Sequence, residues 1–212
     1  MIFGKIEYLN LLPFHIFMKR YTKGSSAKMA MEYKKNVPSS INKAFLHRRV
    51  DAAFISSAVA KHQNFVALGI IAKKKVQSVL VLPSQKTQED SESATSNRLA
   101  KVLHVEGKVI IGDKALRYAL SHDDYIDLAQ LWYKQTQLPF VFALLCYHKD
   151  KKYYTKIAKA FTKKEFKIPQ YLLKKASKQT NIPPQEILKY LQLISYKLDI
   201  KALQGLHKFY TM

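Results

Sequence analysis

The chain has 212 residues, 48% of them hydrophobic, with 36 Lys and Arg against 15 Asp and Glu for a formal charge of +21, and a single cysteine. A chain of this length buries roughly 70% of its unfolded surface, so it needs no metal or disulfide for stability, and one cysteine excludes an internal disulfide. No apolar run approaches the ~20 residues of a membrane span and the start lacks a cationic segment followed by an apolar one, so a cytoplasmic protein with no membrane partner is expected.

Met1, Ile2 and Phe3 begin an apolar strand that runs through Gly4 into Tyr8-Leu9-Asn10-Leu11-Leu12-Pro13-Phe14. Asn10 is a lone amide in that apolar turn. Burying it without partners costs about 1–3 kcal/mol, so it either caps the next helix or faces something polar that binds there. Pro13 to Tyr21 reads as a helix, residues 29–34 as a strand, and Val37-Pro38-Ser39-Ser40 as the start of a helix reaching about Arg48, with a Ser as its cap. Ala52 to Ile55 is a short strand ending in Ser56-Ser57, and a short helix follows near Ala58 to His62. Val66 to Ala72 and Val76 to Leu82 are the next strands, the second running through Pro83 into a polar stretch that resembles an interdomain crossing. Thr95-Ser96 then caps a helix near Asn97 to Leu103, Lys108 to Ile111 is a strand, and Gly112-Asp113 stands at another helix start. Asp127 to Gln135 is helical, and Leu138 to Leu144 is a strong apolar strand suited to a return crossing, with Cys146 beyond it as a buried strand position rather than a nucleophile. Residues 153–212 look wholly helical, broken near Pro169 and Pro183-Pro184. Strands alternating with helices predict an α/β domain with a largely parallel sheet.

The charge makes nucleic acid or an acidic surface the first partners to consider. The fourteen lysines of residues 151–212, however, fall at helical spacings among Ile, Leu, Tyr and Phe, as on a solvated face. There is no aromatic ribonucleoprotein motif, no Gly-x-x-Gly clamp and no zinc-finger spacing, which argues against nucleic acid. The positive field would still concentrate small anions.

Hydroxyl, amide or carboxyl residues stand where strands end: Asn10, Ser56, Ser57, Ser78, Thr95, Ser96 and Asp113. In open α/β sheets ligands bind beyond the carboxyl ends of strands, where helix N-termini present free N–H groups, and such a cleft suits a small carboxylate. Taken singly, each residue is also an ordinary cap or turn residue. A phosphate-cradling glycine loop, a Gly-x-Ser-x-Gly elbow, a His-Glu-x-x-His pair and a dinucleotide fingerprint are all missing, so a reaction here would proceed without metal, nucleotide or other cofactor.

Four stretches carry a resemblance. They are Ile6-Glu7-Tyr8-Leu9-Asn10-Leu11-Leu12-Pro13-Phe14; Val37 to Phe45 with Val50-Asp51-Ala52-Ala53-Phe54-Ile55-Ser56-Ser57; Ala94-Thr95-Ser96-Asn97-Arg98-Leu99; and Ile110 to Leu116 with Leu131-Trp132 and Leu138 to Ala143. In order and spacing the chain resembles the chorismate dehydratases of the futalosine route to menaquinone. The resemblance implies a periplasmic-binding-protein-like (type II) fold, with two α/β lobes, the ligand cleft between them and a helical C-terminal region. Residues 1–84 and 142–212 would form the first lobe and 85–141 a trimmed second one, with crossings near 83–90 and 137–141. By resemblance Asn10 and Ser78 fall on the positions closest to catalysis, and Ser56, Ser57, Thr95 and Ser96 on cleft positions. Tyr8 lies within the matched opening and Asp113 caps the helix beside the cleft. Arg98 either adds charge for a substrate carboxylate or points from its helix to solvent. The partner implied is chorismate, a dicarboxylate; oligomeric state stays open. Departures are Arg48-Arg49 where a glycine is common, Lys75-Val76-Gln77 before Ser78 where Gly-Pro is frequent, and a shortening between Leu103 and Lys108. Two other readings remain: a non-catalytic sensor or carrier of a small carboxylate using the same cleft, and, well behind it, a nucleic-acid binder acting through the lysine-rich end.

Overall fold

The computed structural model describes residues 1–22, 32–163 and 167–212. Strand β1 (Ile2–Lys5) leads through a 3-10 turn (Leu9–Leu11) into α1 (Leu12–Tyr21), whose first turn holds Pro13, where a missing N–H costs nothing. β2 (Glu32–Lys35), α2 (Pro38–Leu46), β3 (Ala52–Ser56), α3 (Ser57–Ala60) and β4 (Phe65–Ala72) follow. Of the strand expected over 29–34, residues 29–31 lie outside the described residues. Then come β5 (Val79–Leu82), α4 (Ala94–Val102), β6 (Lys108–Ile111), α5 (Gly112–Ala119), β7 (Ile126–Asp127) and α6 (Leu128–Thr136). The remainder is β8 (Phe140–Tyr147), α7 (Lys151–Thr162), α8 (Gln170–Thr180), α9 (Pro184–Gln192), β9 (Ile194–Lys197) and α10 (Ile200–Thr211).

The strands form a six-stranded sheet, in the order β2-β1-β3-β8-β4-β9, and a three-stranded sheet, β6-β5-β7. β1 pairs in parallel with β2 and β3, but β8 runs antiparallel to both β3 and β4, β9 runs antiparallel to β4, and the smaller sheet is antiparallel throughout. The largely parallel sheet expected from the alternation is therefore corrected to a mixed one. β1 to β4 share a direction, and β8 returns from the second sheet to slot between β3 and β4 in reverse, without the crossover helix that a parallel neighbour needs. β3 is buried along its whole length and β8 nearly so, and such double-sided burial reads as an unbroken apolar run whichever way the neighbours point.

Two further expectations change. Val79–Leu82, assigned above to the first lobe, pairs with β6 and β7, so the chain enters the second sheet between Ala72 and Val79, ahead of the crossing expected near 83–90. Residues 153–212 are not wholly helical: Ile194–Lys197 extends the large sheet beside β4. Leu191, Ile194 and Leu198 continue the apolar spacing of α9, which hides the change of period.

Phe14 sits at the centre of the larger lobe, with ring centroids 5.9 Å from Phe3, 4.9 Å from Phe54 and 5.3 Å from Phe161, so α1, β1, β3 and α7 share one aromatic core. The lysine-rich α7 turns Tyr154, Ile157, Ala158 and Phe161 inward and leaves Lys152, Lys156 and Lys159 exposed. Cys146 is buried on β8, where burial pushes its thiol pKa up and leaves it inert. His148 stacks on Phe45 and bonds its carbonyl, a packing role.

Candidate active site

A cleft opens between the two sheets. Tyr8 and Asn10 of the opening turn, Ser56 at the end of β3, Ser78 ahead of β5, and Ser93 and Ser96 beside the start of α4 line it, over an apolar floor that includes Ile70 and Phe142. None of the described lining side chains is charged, so the site presents neutral donors within a strongly cationic chain. The walls line a space of about 600 Å³ that is partly open to solvent. Among the described residues no three His, Cys, Asp or Glu side chains gather to hold a metal ion.

Ser78 is buried and aimed by its neighbours. The preceding Gln77 adopts a left-handed backbone conformation, φ 59°, sparsely populated by residues other than Gly, Asn and Asp. The Asp127 carboxylate holds that turn by accepting from the N–H groups of Val76 at 2.9 Å and Gln77 at 2.7 Å, while its other oxygen caps α6 through Ala129 and Gln130. Burial pushes the Asp127 pKa up, and the four N–H donors oppose the shift. Beyond the turn, Gly112 N–H donates to the Ser78 carbonyl at 2.8 Å, and the Tyr190 hydroxyl donates to Ser78 Oγ at 2.9 Å.

Asn10 does not cap α1: the cap position is Leu11 and no side chain caps the helix. The amide instead lines the cleft beside the Tyr190 phenol, while the Tyr196 hydroxyl donates to the Asn10 backbone carbonyl at 2.6 Å. Behind the same turn, Leu9 N–H donates to Asp113 Oδ1 at 3.1 Å. Asp113 is therefore not a helix cap, as expected, but a support under the opening turn; burial pushes its pKa up to about 6.

The other expected residues divide. Ser56 lines the cleft and is held by Asn42, whose amide donates to Ser56 Oγ at 2.9 Å and accepts from Ser56 N–H at 3.1 Å. Ser57 and Thr95 lie off the cleft: Ser57 Oγ donates to the Val141 carbonyl at 2.7 Å, and Thr95 Oγ1 accepts from Ala58 N–H at 3.1 Å, so they tie α4 to the end of β3. Ser96 lines the cleft, but the cap of α4 is Ser93, whose Oγ accepts from Ser96 N–H at 3.1 Å and donates to Ser96 Oγ at 2.8 Å. Arg98 is not in the cleft. Its guanidinium lies over the Phe209 ring and donates to the Phe209 carbonyl, fastening α4 to α10. The α2 cap is likewise Val37 and not a serine.

Tyr8 stands at the mouth. Its ring covers Gly112, whose φ of 70° suits glycine, and a Cβ there would come within 2.8 Å of the ring. Its hydroxyl donates to the Glu92 carboxylate. Asp90 steadies that turn, accepting from Glu92 N–H at 2.9 Å and from Lys114 Nζ at 2.7 Å.

Sequence reasoning missed Tyr190, Tyr196, Glu92, Ser93, Asn42 and the loop-holding half of Asp127. Ser93 was within reach, since it precedes the helix by one residue and stands three before Ser96. The two tyrosines carried no signal, because a tyrosine on an apolar stripe reads as core.

The menaquinone-biosynthesis family matches this chain over residues 1–108 and 100–212. A chorismate dehydratase of Campylobacter jejuni is 47% identical over 214 residues, covering 99% of this chain and 96% of that protein. Among solved structures, a protein of Archaeoglobus fulgidus superposes with a TM-score of 0.68 at 11% identity, covering 99% of this chain and 95% of that one. The periplasmic aliphatic sulphonate binding protein SsuA from Escherichia coli superposes with a TM-score of 0.56 at 13% identity, over 100% and 86% of the two chains. An ABC transporter protein of Parabacteroides distasonis gives 0.61 at 13% identity, over 100% and 90%. These structural likenesses make the fold periplasmic-binding-protein-like, as the resemblance implied.

Proposed function

The chain belongs to the menaquinone-biosynthesis family, and we propose that it is a chorismate dehydratase, a hydro-lyase that removes water from chorismate to give 3-enolpyruvyl-oxybenzoate. The near full-length identity to a dehydratase carries this reading. The cleft supports it, because Asn10 and Ser78, 68 positions apart in the chain, line the same cavity.

The elimination breaks two bonds of the ring. The C–H bond at the ether-bearing carbon gives its electron pair to the new ring double bond, and the C–O bond to the neighbouring hydroxyl breaks with its pair leaving on oxygen, which takes up the proton lost from carbon and departs as water. The ring becomes benzenoid, which supplies most of the driving force. With no charged side chain among the described residues that line the cleft, the substrate's own enolpyruvyl carboxylate takes the proton in this reading, an intramolecular transfer of the kind that orientation favours. Ser78 and Asn10 hold that carboxylate or assist the departing hydroxyl as fixed donors. Ser56, Ser93 and Ser96 line the rest of the cleft and are the donors available to the second carboxylate of this dicarboxylate.

Incubating the purified protein with chorismate in a chelator and following the diene absorbance tests the proposal. The expected result is loss of the diene with a product lighter by one water. Stoichiometric binding with chorismate recovered unchanged would overturn the dehydratase reading in favour of a sensor or carrier.

A further inference from the structure

We infer that Tyr190 is a positioning residue of this site, which sets the direction in which Ser78 offers its hydrogen to the substrate. The inference rests on the reading above that Ser78 acts on the bound ligand. Tyr190 belongs to α9, in the lysine-rich C-terminal region, and its side chain is 2% exposed. Its hydroxyl donates to Ser78 Oγ at 2.9 Å. Among the described residues that is the hydrogen bond Ser78 Oγ makes.

A serine hydroxyl has one hydrogen and two lone pairs. With one lone pair occupied by Tyr190, the hydrogen of Ser78 is directed away from the phenol, and the remaining open side of Ser78 is the cleft. The Asn10 side chain lines the same cavity. A hydroxyl that accepts such a bond is polarised by it and becomes a better donor itself. Burial, with Asp113 and Asp127 nearby, keeps the phenol protonated, so it retains the hydrogen it donates to Ser78. Ser78 without this donor becomes a free rotor whose hydrogen has no fixed direction. Packing alone would be served equally by phenylalanine.

The test is Tyr190→Phe in the full chain, alone and combined with Ser78→Ala, with kcat and KM for chorismate and thermal unfolding measured for each. For Tyr190→Phe we expect kcat to fall about 10- to 100-fold, as when one preorganised donor is lost, with KM within about threefold and unfolding unchanged within a few degrees. In the Ser78→Ala background the same change should cost less than about twofold, because the residue it directs is gone. Losses that multiply, or a Tyr190→Phe variant as fast as the parent while Ser78→Ala is slow, would overturn the inference alone. A fully active Ser78→Ala would overturn the role of Ser78 beneath it. If Tyr190→Phe does not fold, Tyr190→His, which keeps a ring N–H donor, decides: turnover above that of Ser78→Ala supports the inference, and turnover no better than it overturns it.

Discussion

Tyr8 donates its hydroxyl to the Glu92 carboxylate across the mouth of the cleft, joining the segment after β1 to the turn before α4. The bond links the segment that follows the large sheet's first strand to the turn that follows the small sheet's β5. A contact of this kind between two lobes favours their closed arrangement.

Tyr8→Phe should therefore shift the free protein toward an open form. A hydrogen bond to a charged group contributes about 1.5–3 kcal/mol, less when partly exposed, which corresponds to a rise in KM of roughly three- to tenfold. Small-angle scattering should show a larger radius of gyration than the parent without ligand, and the two should converge with ligand. Superimposable ligand-free profiles would remove Tyr8 from the closure.

Asn10→Ala and Ser78→Ala should each lower turnover by roughly ten- to a thousandfold, the range for loss of one preorganised donor. Both should keep the parent circular dichroism spectrum, since neither side chain belongs to the aromatic core. Steady-state kinetics on the folded variants checks this, and undiminished turnover in both would place the chemistry elsewhere.

Asp127→Ala should destabilise the fold by about 2–4 kcal/mol, because it removes a helix cap and two hydrogen bonds that hold the left-handed Gln77. Turnover should fall as well, since Ser78 is the next residue. Gln77→Gly, which suits the backbone angle, should leave both properties near the parent, whereas Gln77→Val should lower both. Urea unfolding alongside kinetics separates the two effects.

Two buried groups oppose each other below neutral pH. Asp113 is pushed up to about 6, so its contribution to stability is full below about pH 4 and is lost as pH rises through 6. Burial pushes the His15 imidazole, bonded to the Ile6 carbonyl at 2.8 Å, down to about 4. Its contribution is full above about pH 6.5 and is lost as pH falls through 4. Asp113→Asn should be more stable than the parent at pH 8, by at most about 3 kcal/mol, and equal to it at pH 4. Its stability should also fall more steeply with acid between pH 6 and 4. Denaturant unfolding at pH 4, 5, 6 and 8 reads both slopes, and a constant difference across that series would show that Asp113 is not the group responsible.

The opening block, the strands to Leu144 other than Ile126–Asp127, and the cleft positions Asn10, Ser56, Ser78 and Ser96 were legible in the residues, because apolar runs and polar residues at strand ends are local signals, whereas Tyr8 came with the family resemblance. Arg98 misled because a cation near an expected anion site looks functional, and only the tertiary contact shows that it is bound over Phe209. Asp113 misled because an Asp at a helix start looks like a cap, while its actual partner, Leu9, lies 104 residues away.

Local patterning thus determined most of the strands and helices, though not β7 or β9, and which polar residues stand at their ends. The tertiary structure alone decided that β8 runs backwards between β3 and β4, and that α9 and β9 bring Tyr190 and Tyr196 to Asn10 and Ser78. The physical reason is that periodicity records which face of an element is buried but not what it is buried against. A tyrosine on an apolar stripe has the same sequence signature whether its hydroxyl ends in solvent or on a serine of the cleft.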